Sequence, residues 1–75
     1  MGNAMPPKFT PQLIRDMRHA LDDVMARVPS EYTTTAVKVY LAECILRAAA
    51  QGHTNYSELV TAAADQIQTA ISLFT

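Results

Sequence analysis

Apolar residues recur at helical intervals along most of the chain, in three runs separated by Pro29 and Gly52. The first run is Leu13, Ile14, Met17, Ala20, Leu21, Val24, Met25 and Val28. Set about 100° apart, as a helix of roughly 3.6 residues per turn requires, these side chains fall in one arc of about 140°. The opposite face alternates in sign through Arg15, Asp16, Arg18, His19, Asp22, Asp23 and Arg27. Arg18 with Asp22, and Asp23 with Arg27, are spaced to pair across one turn. The pattern predicts a helix over 11–28. Thr10 supplies its N-cap, Pro11 suits the first helical position, and Phe9 stands where it can staple onto Ile14. Pro29 ends the run, because it disfavours the helical conformation in Val28.

The second run, over residues 36–52, differs in kind. Its polar side chains Glu43, Arg47 and Gln51, with Tyr40 beside them, occupy an arc of only about 80°. Val37, Leu41, Cys44, Ile45 and Ala48 make one apolar face, and Val39, Ala42, Leu46, Ala49 and Ala50 make a second. Ser30 with Glu31, or the later threonines Thr33, Thr34 and Thr35, can cap the start, and Gly52 is the expected terminator. A helix over about 31–51 follows, apolar round some 240° of its circumference. Such a helix is covered on several sides.

A third helix is expected over 55–74, opened by Asn55 and Glu58 at the spacing of a capping box, with Thr54 as the alternative cap. It buries Tyr56, Leu59, Val60, Ala63, Ala64, Ile67, Ala70, Ile71 and Phe74, and shows solvent a face that is polar but hardly charged. The pattern reaches Thr75 without a stop signal, so this helix either frays there or continues in a longer chain. Short connections make neighbouring helices antiparallel. The fold expected is therefore all-α, an up-down-up bundle of three helices over 10–75 in a single domain. Residues 1–9, with adjacent prolines and no periodicity, read as an extended or disordered arm.

Size changes the picture. A chain of 75 residues buries too little surface to be more than marginally stable alone, and the usual remedies are a disulfide, a metal or a partner subunit. Cys44 is the single cysteine, so no intrachain disulfide can form, and a reducing, cytoplasmic setting is the expectation. Oligomerisation remains. The surplus face of the second helix, Val39, Ala42, Leu46, Ala49 and Ala50, is the expected interface, its alanines letting a second copy of the chain come close.

Charge and motifs point away from most other classes. Six Lys and Arg against seven Asp and Glu give no general attraction to nucleic acid or an anionic membrane, and no basic residue follows Arg47. No run is long and uncharged enough for a membrane span. Asp16, His19 and Asp23 share a helical face at a spacing a metal would accept, but Arg15 and Arg27 compete for them, so no metal or other cofactor is expected. Cys44 reads as a packed thiol and His53 as a turn residue after Gly52, and no catalytic set emerges. Tyr40, Glu43 and Arg47 form either a docking spot for an unknown protein or an edge tyrosine beside an i, i+4 ion pair. Residues 41–59 resemble a helix-turn-helix in outline only, since the second helix opens Asn55-Tyr56-Ser57-Glu58 without a base-reading or phosphate-binding cation. The expected function is that of a small non-enzymatic interaction or regulatory protein acting as a homodimer or higher oligomer. A small nucleic-acid-binding regulator with a degenerate helix-turn-helix is the alternative.

Overall fold

The computed structural model describes residues 9–74, and in it the chain is all-helical, a bundle of three rods. The first rod is α1, Pro11–Ala26, and the second is α2, Thr35–Ala50. The third is broken into α3, Tyr56–Ala64, and α4, Ile67–Phe74. Residues 1–8 and Thr75 lie outside the described residues, and with them nearly all of the expected N-terminal arm.

Local chemistry sets each boundary. The Thr10 hydroxyl accepts the Leu13 N–H at 3.1 Å, with Pro11 at the first helical position. At the other end α1 stops at Ala26, short of the expected Val28. The N–H groups of Arg27 and Val28 donate to Val24 at 2.9 Å and Met25 at 3.1 Å, a tightened last turn that delivers the chain to Pro29.

The second helix starts later than residue 31. Ser30–Tyr32 closes a separate 3-10 turn, with the Tyr32 N–H donating to Pro29 at 2.8 Å. Thr33 and Thr34 then leave helical space, and the Thr34 hydroxyl accepts the Val37 N–H at 3.2 Å. Thr34 is the residue placed to satisfy an orphan donor, so it wins the start from the earlier caps. Gly52 ends the helix at φ +100°, the Gly52 N–H donating to Ala49 at 3.1 Å and the His53 N–H to Ala48 at 3.0 Å. This pair of bonds is a Schellman motif, which needs a left-handed residue where Gly52 stands.

The expected continuous third helix is corrected by a turn at Asp65 and Gln66. The Gln66 N–H donates three residues back, to Ala63 at 2.9 Å, while Asp65 keeps the ordinary bond to Thr61 at 3.0 Å. No proline or glycine causes the break. The tightened turn lets α4 lean onto α2, where Phe74 meets the Tyr40 ring edge-on at 6.2 Å and the Tyr40 hydroxyl donates to Gln66 Oε1 at 3.4 Å. Tertiary contact has overridden a sequence period that carries no stop.

Helix α2 packs against α1, α3 and α4, and α1 against α3, so the middle rod is the centre of the bundle. Leu41, Ile45 and Val37 from α2, Val24 from α1 and Leu59 from α3 are the largest fully buried side chains. Among the described residues no polar or charged residue is buried. This core is held by apolar burial and close packing alone, with no polar network to fix its register.

Candidate interaction surface

Exposed large apolar side chains stand on the outward face formed by α1 and α2 and, separately, at the end of the third rod, where Leu73 is 60% and Phe74 47% exposed. Val39 is 52% exposed and Leu46 46%, both on α2, and Ile14 on α1 is 42% exposed. Between the two helices lies an open groove of about 230 Å³. Met17 and Ile45 make its floor, Ile14 and Leu21 one wall, and Ala42 and Leu46 the other. Phe9 reaches over one end, as a residue stapled beside Ile14 should, and Arg18 brings the one charge to the lining.

The expected interface of α2 is thus only partly free. Val39, Leu46 and Ala50 are exposed and Ala42 is half-buried. Ala49 does not belong with them: it is 0% exposed, inside the chain's own core. The wheel places Ala49 beside Ala42, on the flank that faces α1, and a methyl group there is covered by the neighbouring rod. What the sequence reasoning missed is the contribution of α1. Ile14 and Leu21 look like core in the first helical run, but they sit on its edge, where the packed neighbour covers only part of each side chain, and Phe9, a staple by its sequence position, is exposed beside them. The available signal was the width of that arc.

Of Tyr40, Glu43 and Arg47, the structure brings Tyr40 and Arg47 to one depression, and Glu43 is not among its lining residues. Tyr40 is half-buried under α4 as described, whereas Glu43 and Arg47 are exposed. Tyr40, Arg47, Cys44 and Gln66 line a second, more polar depression of about 240 Å³ on the far side of α2. The Cys44 thiol is pushed above its ordinary pKa, chiefly by burial, with Glu43 adding to the rise and Arg47 opposing it. It is therefore a protonated, weakly nucleophilic thiol near neutral pH.

The acidic face of α1 is engaged in structure. Asp23 lies 3.6 Å from Arg27 and accepts the Tyr56 hydroxyl at 3.3 Å, and Asp16 accepts an N–H from Gln12 at 3.1 Å. The Tyr56 hydroxyl shares its one hydrogen between Asp23 and the His19 carbonyl at 3.2 Å and so latches α3 to α1; the residue is exposed rather than buried in the core as expected. Phe74, also expected in the core, is 47% exposed, its edge-on contact with Tyr40 covering only part of the ring. At the α3 N-terminus the Asn55 side chain accepts the Ser57 N–H at 3.0 Å, while Glu58 lies 3.8 Å from His53. Among the described residues no group of His, Cys, Asp and Glu is arranged to hold a metal ion, and no helix is long and apolar enough to cross a membrane.

Compared with protein-family models, with curated proteins and with solved structures, the chain matches none. The surface itself therefore carries the functional reading.

Proposed function

We propose that this chain is a non-enzymatic interaction or regulatory protein that works as a homo-oligomer through the α1/α2 face. The observation that carries this reading is the joint exposure of Ile14 and Leu46 on the walls of an apolar groove, with Val39 exposed on the same side of α2 as Leu46. Large apolar side chains clustered on a small polar-sided bundle mark a contact surface, whereas scattered ones would need no explanation. The face is also suited to itself. It presents ridges, at Ile14 and Leu46, next to the groove that can receive them, which is what a two-fold contact between identical patches requires.

The chemistry of the remaining groups supports a non-enzymatic role. Cys44 is held as a thiol, Asp16 and Asp23 of α1 serve hydrogen bonds and an ion pair, and His53 before α3 and Glu58 in its first turn are both exposed. The lone cysteine supports a reducing, cytoplasmic setting. Leu46→Glu tests the proposal. Its site is half-open, so the variant should keep its helical circular dichroism while its sedimentation coefficient falls to that of a monomer. An unchanged oligomer would show that the contact lies on another face.

A further inference from the structure

We infer that the groove between α1 and α2 takes a medium-chain carboxylate as a ligand, its aliphatic chain lying between the two helices and its carboxylate on Arg18. The ligand uses the same groove as the proposed homo-oligomer but does not need the oligomer to exist. It and a second copy of the chain compete for one pair of apolar walls, so the ligand opposes association.

Three properties of the groove choose this chemistry. Its floor, Met17 and Ile45, and its walls, Ile14, Leu21, Ala42 and Leu46, are apolar. An aliphatic chain gains there by leaving water, whereas a polar body would lose its hydration with nothing to replace it. The groove is also small. At about 230 Å³ it falls below the roughly 300–1,000 Å³ of pockets that hold drug-sized ligands. Ile14 and Leu21 stand about 10 Å apart along the α1 axis, the length of a medium aliphatic chain.

Arg18 supplies the third property. It is the one charged residue of the lining and it is exposed, so a head group held by it stays at the rim, in contact with water. Asp22 is spaced to neutralise Arg18 across one turn, yet among the described residues the two form no ion pair, and Asp22 does not line the groove. Arg18 and Asp22 share with Arg15 and His19 a depression on the outer face of α1, which carries two guanidinium groups against one carboxylate. A head group beside Arg18 therefore meets net positive charge. Neither Glu43 nor Arg47 of α2 lines the groove. A planar guanidinium donates two parallel N–H bonds to a carboxylate, which distinguishes an acid from the alcohol of the same length.

Titration of the isotope-labelled wild-type chain with octanoate and with octanol, followed by amide chemical shifts, tests the inference. Octanoate should give saturable shifts centred on Ile14, Arg18, Ala42 and Leu46, and should bind more tightly than octanol. Arg18→Gln should weaken octanoate about fivefold and leave octanol unchanged, and because Arg18 is exposed the helical content should stay the same. Ala42→Leu, which fills the groove, should weaken both. Absence of saturable shifts, shifts centred elsewhere, or octanoate binding that ignores Arg18→Gln would overturn the inference. Sedimentation separates it from the oligomer: octanoate should convert an oligomer to monomer. A wild type that is monomeric throughout but binds octanoate would overturn the oligomer alone, and an oligomer unmoved by octanoate would overturn the ligand alone.

Discussion

Leu41 and Leu46 are the same residue on the same helix, one fully buried and the other half-open, and they divide the work of α2. Leu41→Ala leaves a cavity under three helices and should cost about 2–5 kcal/mol of unfolding free energy, measured by chemical denaturation. Leu46→Ala should cost far less in a dissociated chain and show its effect on association instead. Tyr56 supplies a pH-dependent case. Loss of water around the hydroxyl, then the negative charge of Asp23 and the bond to it, raise its pKa above the usual value near 10. The protonated phenol is the form the fold prefers. Its contribution is therefore complete below about pH 10 and lost as pH rises through the higher folded value. Denaturation of wild type and Tyr56→Phe across the alkaline range should show a steeper decline in the wild type; parallel curves would mean that the latch between α3 and α1 does not form in solution.

At the scale of the element, Gly52 is the clearest single determinant. A methyl group there would meet nothing within 4 Å, so Gly52→Ala isolates the backbone cost of φ +100°. That cost should be about 1–2 kcal/mol, read from the same denaturation curves. Thr34→Ala should cost about 1 kcal/mol through the lost cap. Thr10, Asn55 and Gly52 were legible in the sequence, because capping chemistry is local and each motif contains its own partners, whereas Thr34 was one of several caps that the segment from Ser30 to Thr35 offers. The break at Asp65 and Gln66 was not legible: no proline, glycine or cap marks it, and the apolar period runs straight through. Ala49 failed for a related reason. An alanine on the flank of a wheel belongs to whichever rod comes near, and only tertiary packing decides that. Ile14 and Leu21 reversed the error, since a residue at the edge of a core arc also lies at the edge of a surface.

For the whole molecule, size and surface point the same way. A bundle this small, held by apolar packing with no disulfide, has little stability to spare, and association adds to it with the logarithm of concentration. The melting temperature should therefore rise as the protein concentration is raised, and Leu46→Glu should abolish that dependence. Pairing over the α1/α2 groove would turn the surplus apolar face of the middle helix into a second core shared between copies. Sedimentation equilibrium of the wild-type chain at micromolar concentration bears on this most directly. A mass twice that of the 8.2 kDa chain is expected; a single species at the monomer mass throughout the range would contradict it.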